Sequence, residues 1–165
     1  MATQRTPDDV QAALDAFGLN IPVVTYRAST ATAQEAAEAI GTNLGSIVKS
    51  LCFIVDGAPV IVLVAGDRLV DSRKLGALFG IGRKRVTIAD HATTLRATGY
   101  PPGGVPPLGH ASLLPIVIDR TLSRFEIVYA AAGASNANFA IPFETLVRVT
   151  GGRVEDIAKE PGGGQ

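Results

Sequence analysis

Two rhythms of apolar and polar positions divide the chain. Ile47–Val55 and Pro59–Ala65 are nearly unbroken runs of Val, Ile and Leu, the pattern of strands covered on both faces. Asp56-Gly57 between them predicts a two-residue hairpin turn, because glycine accepts positive φ at no steric cost. Ile21–Tyr26, Arg85–Ile88, Pro115–Asp119, Phe125–Ala130 and, more weakly, Ala137–Ile141 read as further strands. The helical rhythm begins at Thr6-Pro7-Asp8-Asp9, a capping hydroxyl followed by proline and carboxylates, with Val10, Ala13, Leu14 and Phe17 at helical spacing up to Gly18. Thr32-Ala33-Gln34-Glu35 has the form of a capping box before Ala36, Ala37 and Ile40, and Gly41 closes that helix. Asp71 heads a helix carrying Leu75, Leu78 and Phe79. Shorter helices are expected at Asp90–Thr98, Phe143–Val147 and Val154–Lys159, with Glu160–Gln165 as a frayed tail. The irregular mixture predicts an α+β fold, one domain over residues 1–165, with a mixed, strongly curved sheet.

Composition narrows the function classes. Fifteen Lys and Arg balance fifteen Asp and Glu, which argues against a duplex-coating polybasic protein, and no DNA partner is expected. A hydrophobic share of 47% against 18% charged residues is enough to bury a real core. The single cysteine, Cys52, has no internal partner, and no His, Cys and Asp grouping has metal-ligand spacing, so neither metal nor other cofactor is expected. No apolar run approaches the roughly 20 residues of a bilayer span, and no secretory leader is read at the N-terminus. The expected setting is the reducing cytoplasm, away from membranes.

Three stretches are candidates for chemistry. Lys49 lies inside an apolar strand and by alternation shares a face with Ile47, Leu51 and Phe53. Such an ammonium either snorkels at a sheet edge or meets an anion in a pocket. Tyr100–Gly109 holds three glycines and four prolines in ten positions, a stiff segment with a few bare amides. Amides aimed at one point stabilise a developing oxyanion; the alternative is a purely structural connection. Ala130–Asn138 is rich in small residues and suits either close approach of a ligand or a simple turn. His110 adjoins the Gly/Pro segment as a candidate general base or hydrogen-bond partner, whereas His91 reads as a surface residue. Six cations between Arg68 and Arg85, set against Asp67 and Asp71, form either a solvated face or a small phosphate-contacting patch.

Taken in order, these stretches resemble the YbaK/ProX family of aminoacyl-tRNA deacylases, related to the editing domain inserted in bacterial prolyl-tRNA synthetases. The matching residues are Thr32-Ala-Gln-Glu35-Ala36-Ala37, Ile47-Val-Lys49-Ser-Leu51, Thr98-Gly-Tyr100, Gly103–His110 and Leu114–Asp119. The resemblance implies a barrel-like editing domain and hydrolysis of the ester of mischarged tRNA carrying a small amino acid. Lys49, Gly109 and His110 are then the catalytic candidates, with Lys49 at the phosphate region of the terminal adenosine. Ser50, Gly104, Val105, Pro106, Pro107, Leu108, Gly133, Ala134 and Ser135 are the candidates for substrate binding. The implied partners are the aminoacyl-tRNA acceptor end and an aminoacyl-tRNA synthetase. Ala131-Ala132-Gly133 stands where some members carry Ser-Gly-Gly, and Ala134-Ser135 where those carry charge, which weakens the case for a Cys-tRNA substrate. Without a Ser/His/Asp arrangement, the alternative is a non-catalytic module that holds a tRNA end, a nucleotide or a synthetase.

Overall fold

The structure is a computed structural model and describes residues 3–161. The last four residues of the expected frayed tail lie outside the described residues. The central hairpin forms as the pattern requires. Strands β2 (Ile47–Val55) and β3 (Ala58–Ala65) pair antiparallel with Val55 opposite Ala58, leaving Asp56 and Gly57 as the turn at φ 50° and 85°. Both turn residues are left-handed, and that twist matches the strands they join.

Around the hairpin run β1 (Val24–Thr25), β4 (Val86–Ile88), β5 (Ile116–Asp119), β6 (Ile127–Ala131), β7 (Ala137–Pro142) and β8 (Arg153–Glu155). The sheet order is β1-β7-β6-β2-β3-β5-β8, with β4 also paired to β2. β2 runs parallel to β6, and β5 runs parallel to β3 and β8; the other pairings are antiparallel. The mixed sheet is therefore open, with β1 and β8 at its ends.

Helices α1 (Pro7–Ala16), α2 (Ala33–Ile40), α3 (Ser72–Leu78), α4 (His91–Thr98) and α5 (Phe143–Thr150) lie around it. Both capping boxes are made, at Thr6/Asp9 and Thr32/Glu35. Asp71 and Asp90 accept hydrogen bonds from the first-turn amides of α3 and α4. One core packs α1 against Val48, Cys52, Tyr100 and Phe139, a second gathers Phe53, Val55, Leu75 and Ile157, and a small third joins Ile47 to Ala36 and Ala37 of α2.

Two expectations are corrected. Val154–Lys159 is not a helix. Arg153–Glu155 extends the sheet beside β5, and Ala158 bridges Val70. The Ile157 amide donates to Asp119 Oδ1 at 3.0 Å while its carbonyl accepts from the Asp71 amide at 2.8 Å. Burying Ile157 against the sheet outweighs local helical preference. The strand expected over Ile21–Tyr26 shrinks to Val24–Thr25. Gln11 of α1 binds the Ile21 carbonyl at 3.0 Å and the Val23 amide at 2.8 Å, taking the main-chain groups a longer strand would need.

Candidate functional site

The sheet divides where β2 leaves β6. Their pairing covers only Ile47↔Tyr129 and Val48↔Ala130, and β4 joins β2 only from Phe53 onward. The intervening edge of β2, Lys49 to Cys52, has no strand beside it. A cavity of about 240 Å³ opens at this gap, lined by Lys49, Ser50, Val105, Ala131 and Asn138 among others. Thr32, Ala33 and Ala36 bring the first turn of α2 to its wall, and Gly103 brings the Gly/Pro segment. Lys49 and that segment thus face one hollow. Lys49 sits at this local gap within the sheet and not at either outer strand, β1 or β8.

Lys49 Nζ donates to the Arg68 carbonyl at 2.6 Å, leaving ammonium hydrogens for another acceptor. Burial holds its pKa below the ordinary lysine range, with the nearby Asp67 carboxylate acting in the opposite direction. That carboxylate is itself committed. Arg124 forks onto it at 2.8 and 3.1 Å and holds it below the usual carboxylate range, and Arg68 adds a contact at 3.0 Å. Lys49 is therefore a poised cation, not one half of a closed ion pair. Two side-chain atoms of the cavity residues, Ser50 Oγ and Asn138 Oδ1, are buried without a hydrogen-bond partner. Cys52 is buried and burial pushes its thiol up, which makes it a poor nucleophile.

The cavity wall is stitched from three distant segments. The Gly133 amide donates to the Gly104 carbonyl at 2.8 Å, and a Cβ on Gly104 would sit 3.0 Å from the Ala134 nitrogen. Ser135 offers its carbonyl to the Thr30 amide at 2.6 Å, holding Thr30 on the cavity rim. Gly133, Ala134 and Ser135 thus serve as the frame behind the cavity, not as its lining. Pro106 and Pro107 do not line it either. Gly109 and His110, with Leu108, face a second hollow beside Phe17, Leu113 and Val149. Gly109 is left-handed at φ 77°, and its carbonyl accepts from Tyr100 Oη at 2.9 Å and from Arg5 at 3.3 Å. His110 Nε2 lies 2.7 Å from the Pro106 carbonyl, and burial lowers the imidazole pKa. Gly109 and His110, expected beside Lys49, line this second hollow and not the cavity at Lys49.

The cations between Arg68 and Arg85 are mostly neutralised locally. Arg68 meets Asp67, Arg73 meets Asp71, Lys74 meets Asp156 and Glu160, and Arg85 meets Asp56. Thr30 and Ala36 were not among the residues sequence reasoning put in the site, and Ala131 and Asn138 entered only as part of the small-residue stretch Ala130–Asn138. Asn138 carried a usable signal, an amide inside an otherwise apolar strand. The small alanines carried none, because alanine at a cavity wall and alanine in a core look alike in sequence.

Residues 27–149 match the family model described as an aminoacyl-tRNA editing domain. The chain belongs to that family. YwhH of Bacillus subtilis, itself uncharacterized, is 37% identical over 70% of this chain and 72% of its own length. The proline–tRNA ligase of Maridesulfovibrio salexigens is 32% identical over 65% of this chain, which corresponds to 17% of the ligase. A solved structure described as a "putative trans-editing enzyme for prolyl tRNA synthetase" superposes with a TM-score of 0.87 at 36% identity, covering 93% of this chain and 97% of that one. The superposition thus covers more of this chain than the residues that match the family model. No helix among the described residues is long and apolar enough to cross a membrane.

Proposed function

We propose that this chain is a free-standing editing hydrolase that cleaves the ester of mischarged aminoacyl-tRNA carrying a small amino acid. The observation that carries the reading is the single cavity joining Lys49, the first turn of α2 and the Gly/Pro segment. A cation and a helix N-terminus on one wall suit a terminal phosphate, and the volume of about 240 Å³ suits an aminoacyl group of modest size. A synthetase pocket rejects a missing methylene by only about 1–3 kcal/mol, so small amino acids need a second site that removes them.

The reaction asks little of the protein. Water attacks the ester carbonyl carbon, the bond to the ribose oxygen breaks, and the proton lost by water ends on that oxygen. Aminoacyl esters are activated already, so positioning and oxyanion stabilisation suffice without a covalent nucleophile. Lys49 holds the phosphate, while Val105 and Gly103 shape the aminoacyl wall with Ser50 opposite. Gly104, Pro106, Pro107, Leu108, Gly109 and His110 keep the loop in place, and Gly133, Ala134 and Ser135 support it from behind. The implied partners are the tRNA acceptor end and a synthetase in the cytoplasm.

Hydrolysis of Ala-, Ser- and Cys-tRNA by wild type and Lys49→Ala tests the proposal. At least one substrate is turned over by wild type, and the variant loses that turnover. Binding of the panel without hydrolysis would replace the enzyme with a tRNA-end binding module.

A further inference from the structure

The gap in the sheet leaves one residue of β2 with both main-chain groups free, and parity along the strand identifies it. The Ile47 carbonyl accepts from the Gly66 amide of the β3 side at 2.8 Å. With Val48 opposite Ala65 and Lys49 opposite Val64, the odd residues of β2 direct their N–H and C=O to β3. Even residues face the other way: the Cys52 carbonyl accepts from the Ala89 amide at 2.9 Å, and the Asp56 amide donates to the Arg85 carbonyl at 2.9 Å. Val48 is taken up by β6. Ser50 is the even residue between, where β6 has ended and β4 has not begun. By this parity its N–H and C=O are directed to the gap, and Ser50 is among the residues that line the cavity there. The Oγ of the same residue is buried, so the main chain is what Ser50 can offer to the cavity.

We infer that the Ser50 main chain binds the aminoacyl group itself, as if it were one residue of an added antiparallel strand. An α-amino ester carries an ammonium donor and a carbonyl acceptor in the relation found within a peptide residue. In a hydrogen-bonded antiparallel pair, one residue exchanges both of its bonds with one residue opposite. The Ser50 carbonyl accepts from the α-ammonium, and the Ser50 N–H donates to the ester carbonyl oxygen. As water adds to that carbonyl carbon, negative charge grows on this oxygen and the N–H stabilises it; the ribose oxygen then leaves with the proton from water. Main-chain recognition reads the α-amino acid as a class, leaving the cavity wall to select the side chain. The inference rests on the editing function proposed above.

Amide-to-ester replacement at Ser50, which swaps its N–H for oxygen and keeps the side chain, is the direct test. The expected result is a fall in kcat/KM of roughly 100-fold, the typical effect of losing an oxyanion donor, with only a small fall in Tm, because the N–H removed is in no ladder and only the Lys49 carbonyl, now an ester, accepts more weakly from β3. The same replacement at Phe53, an odd residue paired with β3, lowers Tm. A non-hydrolysable probe, 3′-alanylamino-3′-deoxyadenosine, should bind wild type more tightly than its N-acetyl form and lose affinity on the Ser50 replacement. If wild type hydrolyses the tRNA esters but the replacement is fully active and N-acetylation changes nothing, this inference is overturned while editing stands. If wild type hydrolyses none, the editing proposal is what fails. Binding of the probe then decides the role of Ser50: weaker binding by the replacement supports it, and equal or absent binding overturns it.

Discussion

Lys49→Met removes the cavity's ammonium while keeping an unbranched stem of similar length, so it isolates charge from packing. In the free protein the amine makes one hydrogen bond, 2.6 Å to the Arg68 carbonyl, and burial works against its charge. Losing that bond and relieving that burial nearly cancel, and Tm should stay within a few degrees. Toward a phosphate the loss is larger, because a hydrogen bond to a charged group contributes about 1.5–3 kcal/mol. At about 1.4 kcal/mol per decade, kcat/KM for a small-aminoacyl tRNA falls roughly 10- to 150-fold. A second signature separates a phosphate contact from general damage. One fewer contact to a single-stranded phosphate makes the slope of log kcat/KM against log salt shallower by about 0.7. Steady-state deacylation at a series of salt concentrations reads both quantities. The pH profile adds a third: the working form is the cation, so activity is present below the Lys49 pKa and lost above it. Burial places that loss below the ordinary lysine value of 10.5, and the Met variant lacks it. Unchanged kcat/KM, or a tenfold loss with an unchanged salt slope, refutes Lys49 as a phosphate ligand.

Other consequences concern the cavity frame. Gly133→Ala should destabilise the fold by about 3 kcal/mol, since a Cβ would meet Pro7 and Thr6 main-chain atoms at 2.9 Å at a φ of 94°, and denaturant titration would show it. Tyr100→Phe removes the 2.9 Å bond to the Gly109 carbonyl and should cost about 1 kcal/mol, read as a Tm lower by about 2–4 °C. His110 has its folded pKa lowered, so the unfolded chain takes up the proton first. The stability this contributes is full above 6.5 and lost as pH falls toward the folded pKa; His110→Asn should flatten that acid limb in equilibrium unfolding. The same variant should leave the pH dependence of deacylation near neutrality unaltered, because the ring faces the second hollow.

Local chemistry made much of the scaffold legible. The hairpin at Asp56-Gly57, the capping box at Thr32, and the Asp71 and Asp90 caps depend on residues within a few positions of each other, and each formed where the sequence placed it. Lys49 stood out for the same reason, a charge where its neighbours are apolar. Val154–Lys159 misled because its conformation is set by Asp119 and Asp71, 38 and 86 positions from Ile157. Gly109 and His110 were read with the cavity because they adjoin Val105 in sequence, yet the stiff loop turns them to its other side.

Sequence alone determined the class of the fold, its family and the lysine at its centre, since these rest on periodicity, turn residues and ordered motifs. Tertiary structure decided what the lysine faces. The cavity beside it lies where β2 parts from β6, and whether a main-chain group is paired or free depends on strand register, which joins residues far apart along the chain.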